Sequence, residues 1–288
     1  MSAGQAGSDG IPAMLVNGRP EGALAVLDRG LHFGDGLFET IACLNGRARF
    51  LGLHLDRLRH GCARLGIRFN EYEVLRAEVA QMAAGPRPAI VKLLLTRGPA
   101  TARGYAARGD EAATRVLLRQ PWPADDPALA REGIRARTGA LRLGENPALA
   151  GMKHLNRLEQ VLARGEWQDP AIHEALLFSS CGHLISGTMT NVFLVRDGQL
   201  LTPRLDRCGV EGVMRRVVLR EARAAGLMAG EYGLVQQDLD VATELFVTNA
   251  RVGIWPVREL DGRRFGARPV TDQLQRRLAP LLEAPADA

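Results

Sequence analysis

The hydrophobic positions alternate at strand spacing near the start of the chain and then switch to helix spacing, which sets out the first part of the fold. Residues 13–16, 24–27 and 38–43 read as strands, and Asn45-Gly46 sits between two such runs as a two-residue hairpin signal, since both positions tolerate positive φ. Leu51, Leu55, Leu58, Cys62 and Leu65 then recur at alternating spacings of four and three, one face of a helix, with Gly66 where a C-terminal cap belongs. A second helix is predicted over 71–84. The apolar, β-branched runs 89–96 and 114–119 return the chain to the sheet, so the first lobe is α+β.

Residues 120–127 hold three prolines and continue neither periodicity, which places an interdomain linker there between a smaller N-terminal domain, 1–119, and a larger C-terminal domain, 128–288. The second lobe mixes strands at 134–138, 175–179, 192–195, 200–201 and 245–248 with helices at 211–225 and 271–282. Leu155, Leu158 and Leu162 are read as the buried face of a further helix that starts just beyond Lys153. Asp197-Gly198 gives a second hairpin.

Composition narrows the class. A chain of 288 residues with 46% hydrophobic and 24% charged content buries enough surface for two packed lobes. No run approaches the roughly 20 apolar residues of a membrane span, and residues 1–10 lack the features of a signal segment, so a soluble protein of the cytoplasm is expected. Cys43, Cys62, Cys181 and Cys208 form no C-x-x-C pair, which argues against a zinc site and a disulfide framework. The net charge of +5 is spread in single residues and pairs among acidic ones. That distribution disfavours nucleic acid and suits a small polyanionic ligand.

One compositional fact points to chemistry: of 37 basic residues only Lys92 and Lys153 are lysine. A guanidinium stays protonated, whereas an amine can lose its proton and attack a carbonyl, so the two lysines are candidates for amine chemistry. Lys92 lies inside the strand 90–95 and is read as structural. Lys153 lies at a loop-to-helix junction, where the helix start and Arg157 one turn on are expected to favour the neutral amine.

The segment Gly151-Met152-Lys153-His154-Leu155-Asn156-Arg157-Leu158-Glu159-Gln160 resembles the lysine motif of aminodeoxychorismate lyases, members of the fold type IV pyridoxal-phosphate enzymes. Other motifs similar to that family follow in order: Asp28-Arg29-Gly30, residues 33–40 from Phe33 to Thr40, His54-Leu55-Asp56-Arg57-Leu58, residues 141–147, Thr190-Asn191-Val192-Phe193, Thr202-Pro203, residues 209–215 and Val247-Thr248-Asn249-Ala250. Together they span roughly residues 14 to 257. The resemblance implies a two-domain α+β / α/β architecture of the D-amino acid aminotransferase type, with pyridoxal 5'-phosphate between the lobes and a homodimer. It implies that Lys153 carries the cofactor covalently and then moves protons. Arg57, the backbone amides of Val213 and Met214 at a helix start, and Asn249 would hold the phosphate. Thr40 would assist proton transfer, and Arg97, Arg103 and Tyr105 would meet the carboxylates of the substrate. The implied activity is conversion of 4-amino-4-deoxychorismate to 4-aminobenzoate and pyruvate, a step of folate biosynthesis.

Ser186 departs from the family pattern. Five residues before the asparagine corresponding to Asn191, the family places a glutamate that pairs with the pyridine nitrogen; a hydroxyl cannot support a pyridinium in that way. A branched-chain or D-amino-acid transaminase on the same fold is the alternative reading, and loss of that carboxylate weighs against it. A third reading is a non-enzymatic binding protein that kept the fold after losing the glutamate at 186 and binds the cofactor weakly or not at all.

Overall fold

The computed structural model describes residues 11–124 and 126–283. Residues 1–10 and 284–288 lie outside the described residues, as does Asp125 within the proline-rich linker. The chain divides into two compact units. The first runs up to Pro123 and includes Lys153–Asn156, and the second comprises Ala124–Met152 and Arg157–Leu282.

The first unit contains β1 (Met14–Val16), α1 (Arg29–Phe33), β2 (Gly36–Leu44), β3 (Arg47–Ala48), α2 (Leu51–Leu65), α3 (Tyr72–Ala83), β4 (Ala89–Thr96) and β5 (Thr114–Pro121). Its strands form an antiparallel sheet in the order β1-β5-β4-β2-β3. Asn45 and Gly46 both take positive φ, 51° and 73°, and close the β2–β3 hairpin as their residue types require. Leu55, Leu58 and Cys62 of α2 are buried, and Gly66 caps the helix at φ 64°. Residues 24–27 are not a strand. The chain turns there through an Ala25–Asp28 hydrogen bond, Asp28 caps α1 through its side chain, and Leu24, Val26 and Leu27 are exposed. An apolar run stopped by a cap residue made the turn look like a strand.

The second unit contains α4 (Ala128–Glu132), β6 (Ile134–Leu143), α5 (Leu158–Arg164), β7 (Ile172–Ser179), β8 (Leu184–Gly187), β9 (Asn191–Arg196), β10 (Gln199–Pro203), α6 (Val213–Ala224), β11 (Ala229–Tyr232), α7 (Gln236–Val241), β12 (Glu244–Asn249), β13 (Gly253–Leu260), β14 (Arg263–Arg264) and α8 (Pro269–Glu283). Eight strands follow the order β11-β10-β9-β12-β13-β6-β7-β8, with β14 paired to β13. The neighbours Leu176 and Leu177 of β7 enter different apolar clusters. One holds Ile134, Val192, Leu194, Val247 and Trp255, and the other Leu143, Ala163, Ile185 and Leu205, so both faces of the sheet are covered.

The helix beyond Lys153 starts later than the apolar spacing suggested. Lys153 lies five residues before the first residue of α5, and Arg157 is the residue that immediately precedes the helix rather than one helical turn beyond the lysine. Leu158 and Leu162 are 76% and 64% exposed, not buried; Ala163 is the buried position of α5. Periodicity marks an apolar face but does not say what covers it.

Candidate active site

Strand β2 organises the candidate site residues of the first unit. Residues 153–155 lie against its N-terminal half: the Phe38 backbone N–H donates to the Lys153 carbonyl at 2.9 Å, and the Leu155 N–H to the Gly36 carbonyl at 3.0 Å. Two glycines make room for this approach. A Cβ on Gly36 would stand 2.6 Å from the Leu95 carbonyl oxygen and 2.9 Å from Leu155, and one on Gly34, at φ 64°, would stand 2.3 Å from the Asn156 side chain. The Phe33-Gly34-Asp35-Gly36 turn is therefore the seat of the lysine segment.

Alternate residues of β2 face opposite ways. On one face the Lys153 Nζ lies 4.3 Å from the centroid of the Phe38 ring, and the Lys92 Nζ lies 5.8 Å from the same centroid. Thr40 pairs directly with Lys92 across the β2–β4 ladder and is half-buried. Both lysines of the chain thus meet at one aromatic ring, and Lys92 belongs to the same face as Lys153 and Thr40. From the sequence Lys92 reads as structural; a lone lysine in an otherwise apolar strand was the available signal.

On the other face Glu39 is buried with His54 and Arg57 of α2. Arg57 donates from Nε to Glu39 Oε1 at 2.8 Å and from Nη2 to Oε2, and the His54 Nδ1 stands 2.6 Å from Oε2. Burial by itself would raise the Glu39 carboxyl, but the Arg57 charge and the hydrogen bonds from Arg57 and His54 bring it down to about 2. Burial pushes His54 below its ordinary value, with Arg57 and Lys153 adding to the effect against the pull of Glu39. A neutral His54 beside an ionised Glu39 donates from Nδ1, because the carboxylate can only accept. The buried His54 Nε2 then has no partner among the described residues. Glu39 was not among the residues singled out from the sequence. The three-residue separation of His54 and Arg57 on one helix face was the available hint.

Arg97 is 8% exposed. Its guanidinium donates to Asp35 at 2.8 and 3.1 Å and to the carbonyls of Leu65 and Gly66 at 2.7 Å each. Arg97 thereby ties β4 to the end of α2. Asp35 also receives Arg29 at 2.8 Å, and Arg29 reaches on to the Tyr105 carbonyl at 2.7 Å. Burial opposes ionisation of Asp35, but the two arginines hold its carboxyl below the ordinary range. Arg103 is exposed, and the Tyr105 ring is 83% exposed and leans on Phe33 at 5.2 Å between centroids.

In the second unit, α6 begins at Val213 and Met214 after Gly212, with no side-chain cap and no acidic residue in its first turn. Its first N–H groups and positive end suit an anion. Gly212 has no space for a side chain, since a Cβ would stand 2.0 Å from Asn191 Oδ1, while Asn191 itself donates to the Val210 carbonyl at 2.8 Å. Asn249 ends β12, against which α6 packs; its Oδ1 accepts from the Arg251 and Val252 N–H groups at 3.0 Å.

Ser186 lies on β8, 8% exposed, and its hydroxyl donates to the Gly187 carbonyl at 2.8 Å. The nearby buried acid is Glu174 of β7. One of its oxygens accepts from the Ala175 and Thr188 N–H groups and the Thr188 hydroxyl, and the other from the Met189 N–H and the Thr190 hydroxyl. Five donors saturate this carboxylate, which braces residues 187–190 and has no lone pair to spare in place of the absent family glutamate. Among the described residues no three His, Cys, Asp or Glu side chains group as a metal site, and no helix is long and apolar enough to cross a membrane.

Residues 36–260 match the pattern of the family described as Amino-transferase class IV. The chain belongs to that family. The chain is 32% identical over 242 residues to an aminodeoxychorismate lyase of Vibrio harveyi, covering 84% of this chain and 89% of the relative. It is 33% identical over 251 residues to a putative branched-chain-amino-acid aminotransferase of Methanocaldococcus jannaschii, covering 86% of each. The crystal structure of a 4-amino-4-deoxychorismate lyase from Pseudomonas aeruginosa superposes with a TM-score of 0.90 at 41% identity, covering 94% of this chain and all of that one. Class IV members work through pyridoxal phosphate, and the residues present fit that group. They supply an amine seated on an aromatic ring, a guanidinium fixed by a carboxylate, and an uncapped helix start.

Proposed function

We propose that the chain is a pyridoxal-phosphate-dependent lyase that converts 4-amino-4-deoxychorismate to 4-aminobenzoate and pyruvate, supplying the aromatic acid for folate biosynthesis in the cytoplasm. The observation that carries this reading is the 41% identity with the Pseudomonas lyase structure over nearly the whole chain.

Lys153 and Arg57 in the first unit, and Val213, Met214 and Asn249 in the second, are the residues proposed to hold the cofactor, which when bound supplies an electron sink for the bond-breaking steps. The Lys153 amine takes the proton from the ring carbon that bears the substrate nitrogen. The ether bond on the neighbouring ring carbon breaks, its electrons leave with the enolpyruvyl group, and that group gains a proton to become pyruvate. The ring is left aromatic, which supplies driving force. Thr40, on the face that carries Lys153, is proposed to assist proton movement. Arg103 and Tyr105 are proposed to meet the substrate carboxylates, while the bonds of Arg97 favour a framework role.

The 33% identity with the Methanocaldococcus protein keeps a branched-chain or D-amino-acid transaminase as the second reading. Ser186 counts against it, because transamination depends on a well-supported carbanion. The intact seat of Lys153 counts against a binding protein without catalysis. A homodimer is also proposed, supported by the exposed apolar face Leu158, Val161 and Leu162 of α5, and light scattering of the purified protein tests it.

The deciding experiment measures pyruvate release from enzymatically prepared 4-amino-4-deoxychorismate by wild type and Lys153→Ala, both supplied with cofactor. Release by wild type alone is the expected result. No release with cofactor bound would overturn the lyase reading and direct assays to amino-acid and keto-acid pairs.

A further inference from the structure

We propose that Glu39 is a positioning residue that fixes the Arg57 guanidinium for the cofactor phosphate, with its charge as the operative property. The proposal rests on the reading that Arg57 receives that phosphate.

The geometry is that of a brace. Glu39 is 1% exposed, and its two oxygens take the Nε and Nη2 donors of Arg57 in a fork, which locks the plane of the guanidinium. His54, also 1% exposed, donates to Oε2 at 2.6 Å and keeps the carboxylate itself from turning. A long arginine side chain otherwise keeps much rotamer freedom that anion binding would have to remove.

Stability does not account for this arrangement. A buried carboxylate and guanidinium lose their hydration, and an apolar pair of the same volume is commonly as stable or more so. The cluster also leaves the His54 Nε2 buried without a partner among the described residues, a further cost. What the ion pair supplies is a guanidinium that is charged and oriented before a ligand arrives. Its position on β2 adds to the point. Glu39 follows Phe38, the residue that carries the Lys153 amine on its ring, so consecutive residues of one strand hold the amine and the guanidinium.

The test compares affinity for pyridoxal 5'-phosphate with affinity for pyridoxal, which has the same ring and aldehyde without the phosphate. Both are followed by absorbance titration of the apoprotein, and the ratio of the two dissociation constants isolates the phosphate contribution. Glu39→Gln keeps the shape but replaces an acceptor by a donor facing Arg57, and the ratio is expected to collapse by at least about tenfold. A purely structural role would weaken both ligands alike and leave the ratio unchanged, which would overturn the proposal.

Arg57→Gln separates the two levels. An unchanged ratio in that variant means that Arg57 does not contact the phosphate, and the underlying reading fails with it. A collapsed ratio in Arg57→Gln but not in Glu39→Gln defeats the positioning role alone. Should Glu39→Gln fold poorly, the double variant Glu39→Gln/Arg57→Gln removes both buried charges. It is expected to match Arg57→Gln in ratio, since Glu39 acts through Arg57, whereas a further additive loss would contradict the proposal.

Discussion

The Lys153 amine lies 4.3 Å from the centre of the Phe38 ring, while the Phe38 backbone N–H holds the Lys153 carbonyl at 2.9 Å. One residue thus fixes the lysine through main chain and side chain together. Phe38→Leu keeps the backbone bond and most of the apolar volume but removes the π-face. The ammonium that forms when Lys153 takes the substrate proton would lose a cation–π contact of about 0.5–2 kcal/mol, which should lower kcat/KM by roughly 2- to 30-fold with little change in melting temperature. Wild-type kinetics in this variant would show that the ring does not orient the amine.

Acid sensitivity should trace to His54. Its folded-state pKa lies below the ordinary histidine value, so the unfolded chain binds its proton first, and the stability it contributes is present above about pH 6.5 and lost as pH falls below it. Glu39, lowered to about 2, keeps its stabilising charge throughout that interval. His54→Gln keeps a donor for Glu39 but cannot titrate. Between pH 7.5 and 5.5, urea unfolding of wild type should lose up to about 1.4 kcal/mol per pH unit more than the variant does. Parallel curves would remove His54 as the cause.

Ser186→Glu places a carboxylate at a buried position of β8, next in the chain to the segment that Glu174 braces. The apoprotein should be destabilised by about 1–3 kcal/mol. Cofactor should restore more melting temperature than it does in wild type, because a pyridinium partner would neutralise the new charge. The variant should also gain half-transamination of amino acids. An unchanged cofactor spectrum and rate would remove the basis for assigning Ser186 to the ring nitrogen.

Arg97 and Arg103 should separate stability from substrate recognition. Arg97→Ala strips buried bonds to Asp35 and two carbonyls and should cost about 2–4 kcal/mol in urea unfolding. Arg103→Ala, at an exposed position, should leave stability within about 0.5 kcal/mol and raise KM instead. An unchanged KM in the second variant would take Arg103 out of the substrate site.

Much was determined by the sequence alone, because the relevant physics is local. Asn45-Gly46 and Asp197-Gly198 specify hairpins whatever surrounds them, and the spacing of Leu51, Leu55, Leu58 and Cys62 yields α2 because those positions share one helix face. Scarcity of lysine, together with an ordered set of motifs, directed attention to Lys153 and to the class IV family. The tertiary structure alone decided what each face meets. Leu158 and Leu162 have core-like spacing yet remain exposed, and residues 24–27 have strand-like composition yet no ladder to join. Lys92, Phe38 and Lys153 converge although far apart in the chain, because the β2–β4 register and the glycines at 34 and 36 bring them together. Partnerships such as Glu39 with Arg57, or Glu174 with residues 188–190, depend on burial and long-range approach. Local spacing carries no record of either.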